Sequence, residues 1–399
     1  MYEHQQIGCK RRKKHLRKLS VLLTVCLIIG TVFMSIYYRR WKTEIHIQQE
    51  WLDSVLIREK KWILQNQGPE GEIYMNGSKA GDINPYFACV AAVGLLAETE
   101  NCPVSEEEID AVRRYLNWHT RILRETDGKM GIYRKKSGKI VYVDKADSED
   151  GYLGMYLWLM GKYLKKAGNA EKPEYYQEGI RIALDRIQNL MKNGTTQVSE
   201  ENTTVYLMDN LEVWKGLYEF ESSDPAEMNE VPVMRKDLQK QIEKVFWDEQ
   251  RKRWKIHQDS EQLHPEEFYP DAIAQVYPLI YEFPIKDKKE QKKLYQWFTE
   301  KFQWQTMNKQ RKGFVWTMTG MAAAQLGDIN NLRSLIKNYE AEYSSIRKYP
   351  LYTGEAGWIC QECEKLYQLY EDSYLFFLTQ LIQTKNESTC YSCFSSRKS

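Results

Sequence analysis

From Glu44 to Tyr370 the chain alternates six times between two kinds of helical segment, and few folds can absorb that pattern. One kind is polar on one side and apolar on the other. It comprises about Glu44–Leu64, Ser105–Glu125, Glu174–Lys192, Met234–Trp247, Lys288–Phe302 and Asp328–Tyr343. The other kind is apolar on most faces and rich in small or aromatic residues. It comprises Pro85–Ala97, Gly151–Leu164, Tyr206–Phe220, Pro270–Phe283, Trp316–Gly327 and Gly354–Tyr370. A helix with one apolar stripe lies at a surface, and a helix apolar all round is buried. Six outer–inner hairpins in succession predict an all-α fold, an (α/α)6 toroid with six inner helices wrapped by six outer ones. Two stacked bundles would share much of this pattern. Ser105 and Glu108 carry the spacing of a capping box at one outer helix start. The clearest strand-like stretch, Ile132–Val143, reads as a hairpin inserted in a loop.

Leu19 to Tyr38 is a run of twenty residues without a charge. At about 1.5 Å per residue it spans roughly 30 Å, the thickness of a bilayer's hydrocarbon core. Seven Lys/Arg lie between Lys10 and Lys18, and three follow the run closely. The positive-inside bias therefore predicts a single-pass anchor in the cell membrane, with a cytoplasmic N-terminus and an extracellular globular part. Tyr37, Tyr38 and Trp41 stand where an interfacial aromatic belt belongs. A cleaved signal peptide is the rival, but the run is long and no small-residue cleavage pattern follows it. The expected organisation is a basic tail over 1–18, an anchor over 19–38, the toroid over 39–385 and a tail over 386–399.

The near-neutral total charge hides an asymmetry. Residues 1–42 carry ten Lys/Arg against one acid, while the remainder holds 47 basic and 54 acidic residues, a net of −7. An acidic globular part argues against a nucleic-acid partner, which needs a basic surface. Eight cysteines give no firm metal signature. Cys9 and Cys26 fall in the tail and the anchor, Cys89 in an apolar helix and Cys102 in a loop. The two C-x-x-C pairs, Cys360/Cys363 and Cys390/Cys393, admit a four-cysteine zinc site or disulfides in an oxidising compartment. The six histidines show no metal-binding spacing, and the sequence has no phosphate loop or dinucleotide fingerprint. No metal or cofactor is expected.

In a toroid the inner helices all open on one face, and nearly every inner helix here begins with a carboxylate. These are Asp82, then Asp147, Glu149 and Asp150, then Asp209, Asp271 and Glu355. Capping and the helix dipole account for any one of them. Together they share the mouth with Tyr74, Tyr86, Tyr152, Tyr206, Phe268, Tyr269, Trp316, Tyr352 and Trp358. Carboxylates among aromatic rings suit sugar chemistry, since glycoside cleavage needs a protonated acid and an ionised partner.

At these motifs the chain resembles the six-hairpin glycosidases, and most of all glycoside hydrolase family eight. DINPY places Asp82 in the slot of that family's general acid, ADSEDGY offers Asp150 as the residue that binds the sugar at the cleavage point, and FYPDAIAQ offers Asp271 as the base. The chain departs from the family in having Asp82 for a Glu, Pro270 between Tyr269 and Asp271, and Ala274 where the family has Arg. The resemblance implies an inverting glycoside hydrolase acting on an extracellular or cell-envelope polysaccharide. Asp82, Asp271 and Asp150 would be catalytic, with Tyr86, Glu149, Tyr152, Asp209, Tyr269, Trp316, Glu355 and Trp358 binding substrate. A non-catalytic glycan-binding or assembly protein and a polysaccharide lyase are the alternatives.

Overall fold

The computed structural model describes residues 2–77, 81–168, 174–223, 230–260, 264–307, 314–347 and 349–394, with side chains from 18 to 373. The Cys390/Cys393 pair and Cys9 lie outside the described side chains. The chain falls into two compact units, one of residues up to Trp51 with those from Asp372 onward, the other Leu52–Glu371.

In the first unit the uncharged run lies within α1 (Tyr2–Gln65). It is long and apolar enough to cross a membrane, and its side chains are exposed rather than packed against protein.

The second unit is the toroid. Its outer members are the end of α1 and helices α3 (Glu106–Thr126), α5 (Glu174–Leu190), α7 (Glu230–Phe246), α9 (Lys288–Phe302) and α11 (Ile329–Tyr343). Its inner members are α2 (Pro85–Leu95), α4 (Glu149–Ala167), α6 (Leu207–Ser223), α8 (Tyr277–Ile280), α10 (Thr319–Gln325) and the first turns of α12 (Thr353–Phe394). The fourth inner member is irregular: a π-helical turn, Phe268–Ala272, precedes the short α8.

Burial follows the sequence pattern. Outer helix α3 buries Ala111, Val112, Tyr115, Leu116, His119, Ile122 and Leu123, a single stripe, whereas α4 is buried without a break from Asp150 to Gly161. The capping box at Ser105 forms, with Ser105 N donating to Glu108 Oε2 at 2.8 Å and Glu108 N to Ser105 Oγ at 3.3 Å.

Glycines set how closely the inner helices approach. A Cβ on Gly216 would meet the Gly154 carbonyl oxygen at 2.2 Å, which joins α6 to α4. A Cβ on Gly94 would lie 2.5 Å from Gly357 Cα, and one on Gly357 would lie 2.3 Å from the Val90 carbonyl oxygen. That contact brings the last inner helix against the first and closes the ring. On the outside, Glu59 of α1 is fully buried between Arg347 and Tyr339, which reach it from α11 and the segment after it.

The strands are short and lie in the loops. β1 (Asp82–Ile83), β2 (Gly131–Lys136) and β3 (Lys139–Lys145) form one antiparallel sheet, and the hairpin expected at Ile132–Val143 is its β2–β3 part. Two further ladders are two residues long in each strand.

Because backbone lies where a methyl group would go, Gly357→Ala should destabilise the toroid by about 1–3 kcal/mol. Urea unfolding of the full chain in detergent checks this. Unchanged stability would mean the ring does not close through this contact.

Candidate active site

The six loops that lead into the inner helices gather on one face, and they are latched to one another by backbone and side-chain hydrogen bonds. Thr353 N, at the start of α12, donates to Met75 O at 2.8 Å, and its hydroxyl donates to Tyr74 O at 2.9 Å. Glu149 N, at the start of α4, donates to Val198 O in the loop before α6. Leu207 N donates to Ile256 O, and Gln258 N to Val205 O, which ties the loop before α6 to the loop before α8.

Several of the carboxylates expected in the site serve these latches. Glu355 is buried and receives the amides of Val315, Trp316 and Thr317 at 2.9–3.1 Å, together with the Thr317 hydroxyl, so it fixes the turn that starts α10. Asp150 is fully buried, with Ser148 Oγ at 2.9 Å on one oxygen and Thr196 Oγ1 at 2.7 Å on the other. Burial pushes its carboxyl up to about 6 against these two donors. Asp271 is buried and accepts the His264 amide at 2.7 Å. Asp82 is half-buried and ion-paired with Arg134 of β2. Glu149 turns outward to Arg186 of α5 at 2.8 Å. Asp82, Asp150 and Asp271 therefore each sit with different partners.

What the fold does bring together lies on the side of α4 and α6. Asp209 and Glu212 are three residues apart on α6 and share one face, directed toward the start of α4. Glu212 Oε1 accepts the phenols of Tyr86 and Tyr281, each at 2.7 Å, and the two phenols are 3.2 Å apart. Burial pushes Glu212 up to about 8, opposed by the two phenols and reinforced by Asp150 and Asp147. Asp209 is 5% exposed. Burial raises its carboxyl well above the usual carboxylate range, and Asp150 and Glu212 raise it further, while the Ser148 hydroxyl opposes this. Asp147 is exposed just before α4 and meets the Tyr152 phenol, which also contacts Asn84.

Aromatic rings continue the wall. Tyr86 is 5.8 Å from Tyr152 and 5.3 Å from Phe87, ring centre to ring centre, and Phe87 is followed by Phe314 at 5.7 Å, Trp316 at 5.6 Å and Tyr269 at 5.1 Å. Tyr269 is 53% exposed, and its phenol lies near the Asp209 carboxyl. Trp358 lies one turn below Glu355, against Trp158 and Tyr281, as part of the core.

Of the substrate-binding residues expected from sequence, Tyr86, Tyr152, Asp209, Tyr269 and Trp316 belong to this lining. Sequence reasoning passed over Glu212 and Tyr281 and gave Asp147 no role. The signal for Glu212 was present: it stands at i+3 from Asp209, on the same face of one helix.

Glu212 predicts a pH dependence. Its folded value lies above the ordinary one, so the folded state keeps a proton that the unfolded chain releases. Its contribution is complete below about pH 4.5 and is lost as pH rises through about 8. Glu212→Gln cannot ionise. It should match the parent at pH 4.5 and exceed it by on the order of 2 kcal/mol at pH 9. Chemical denaturation at the two pH values measures the difference, and equal stability at pH 9 would contradict the buried, protonated assignment.

The sequence matches no protein-family model and no curated protein. Solved structures do match. A glycosidase in complex with glucose is 11% identical, with 82% of this chain and 98% of that one covered and a TM-score of 0.55. A metal-independent α-mannosidase from Streptococcus pneumoniae, in a non-productive complex with α-1,6-mannobiose, is 9% identical over 83% and 98% of the two chains, with a TM-score of 0.56. A D-mannose isomerase is 12% identical over 80% and 97%, with a TM-score of 0.53. At these identities the likeness is one of fold: the second unit is a six-hairpin toroid of the kind found in sugar-processing enzymes.

Proposed function

We propose that this chain is a membrane-anchored glycoside hydrolase whose reacting centre is the carboxyl cluster of α4 and α6. The observation that carries the proposal is the pairing of a buried Asp209, whose carboxyl burial raises well above the usual carboxylate range, with an exposed Asp147 under a wall of aromatic rings. Glycoside cleavage needs that inequality, one carboxyl holding a proton for the leaving oxygen and one ionised for water or the sugar. The fold neighbours that process sugars support the same reading.

In this proposal Asp209 donates the proton and Asp147, which bulk water reaches, activates the attacking water. The stereochemical form is inversion. Glu212 is held between its two phenols, one turn along α6 from Asp209. Tyr269 offers a ring face to the sugar, with Trp316 packed behind it. The catalytic roles that the family-eight motifs suggested for Asp82, Asp150 and Asp271 pass to other residues here. The reason is that an ion pair, two hydroxyls and a loop amide already hold those carboxylates. The narrower likeness to family eight rests on those short motifs alone.

A panel of soluble and envelope glycans, with release of reducing ends as the readout, tests the assignment. Asp209→Asn and Asp147→Asn should each lower turnover on the responsive glycan by about 10²–10⁴-fold. Asp82→Asn and Asp271→Asn should keep most of it. Full turnover in both of the first pair would sink the proposal, and loss confined to the second pair would return the roles to the family-eight positions.

The anchor belongs to the proposal as well. Leu19 to Tyr38 would hold the N-terminus in the cytoplasm and the toroid outside, as the excess of basic residues before the run suggests. Protease added to intact cells should then digest the toroid and spare the tail before Lys18. Protection of the toroid would reverse the orientation.

A further inference from the structure

The α3–α4 loop carries a local excess of positive charge. Residues 131–145 hold Arg134, Lys135, Lys136, Lys139 and Lys145 against a single acid, Asp144, on a chain that is otherwise net acidic beyond the anchor. These residues form the β2–β3 hairpin, turned by Ser137 and Gly138, both at positive φ as a tight two-residue hairpin turn requires.

The hairpin adjoins the mouth. β2 pairs with β1, the strand directly before α2, with Asp82 opposite Arg134. Ala146 N closes the hairpin base on Met130 O at 3.2 Å, and the next residue is Asp147. The two faces of the hairpin differ. Tyr133 packs edge-on against Trp118 of α3, which marks the face directed at the outer helix. Arg134 lies on the opposite face, ion-paired with Asp82, whose charge reaches the Tyr352 phenol at the start of α12. Strand alternation puts Lys136 on the Arg134 face, and register puts Lys139 directly across from Lys136. Like charges directly opposite one another cost stability. Both lysines are exposed, and neither has a partner among the described residues.

We propose that the substrate is an anionic polysaccharide whose carboxylate or phosphate groups are held by Lys136 and Lys139, with Arg134 beside them, on the mouth-side face of the β2–β3 hairpin. The proposal rests on the glycan-cleaving reading of the mouth. The centre of the mouth is itself acidic, so the charged groups recognised by the hairpin sit on units flanking the cleaved bond.

The test uses the full chain in nanodiscs of phosphatidylcholine, which removes anionic lipid from the assay. The probes are polygalacturonate, its fully methyl-esterified form as the uncharged match, and polyglycerol phosphate. At least one anionic polymer should bind at least tenfold more tightly than the ester at low salt, and 1 M NaCl should erase the difference through screening. The double variant K136S/K139S should lose most of that preference. K135S, on the opposite face of the same strand, should keep it. Thermal melts establish that all three proteins are folded. Loss with polygalacturonate alone assigns carboxylate recognition, and loss with polyglycerol phosphate alone assigns phosphate. Equal binding of all three polymers, or an undiminished preference in the double variant, overturns the proposal. So does a double variant that loses only its binding to phosphatidylserine vesicles, since the hairpin would then face a membrane. Asp209→Asn separates this proposal from the catalytic one, because it should abolish cleavage while leaving the polymer preference intact.

Discussion

Everything at the mouth depends on the closeness of the inner helices. Gly154 against Gly216, and Gly94 against Gly357, let backbones touch where side chains would hold them apart. A ring closed at this radius has no room for a broad water-filled axis. Polar groups at the top of the barrel are therefore withdrawn from water whether or not they are ionised. The Tyr86–Glu212–Tyr281 cluster exists under that constraint, and its carboxyl stays because it is hydrogen-bonded and protonated.

The same closeness sorts the acids at the helix starts into two populations. Glu355, Asp150 and Asp271 are held by amides and hydroxyls of the loops, and they turn six separate connections into a rigid rim. Asp209 and Glu212 are met by hydroxyls instead, Ser148 at Asp209 and the Tyr86 and Tyr281 phenols at Glu212, and burial raises both. Helix dipoles favour negative charge at every one of these positions, so the dipole alone cannot divide them. Local donors divide them.

The architecture was legible because periodicity encodes it directly. The stripe on α3 and the unbroken apolarity of α4 appear as burial patterns in the structure, and the Ser105 capping box forms as its spacing implies. The site was less legible. Sequence shows that Asp150 and Glu355 stand at helix starts, but their partners Thr196 and Val315–Thr317 come from different hairpins, and no local pattern announces them. Glu212 was passed over because it lies inside a helix rather than at its start. The irregular fourth inner helix was missed for a similar reason. The π-helical turn at Phe268–Ala272 interrupts a segment whose composition still reads as buried helix.

Environment rather than residue type separates a proton donor from a proton acceptor among carboxylates. Asp209 and Asp147 are chemically identical side chains on neighbouring inner hairpins, one enclosed and one open to water. Enclosure raises the first, and Asp150 and Glu212 beside it add to the rise. The cluster is thus graded in exposure: Glu212 and Asp209 are buried, and Asp147 is open to water. A sugar stacked on Tyr269 would meet that gradient at its open end, where a proton can be given and water can enter.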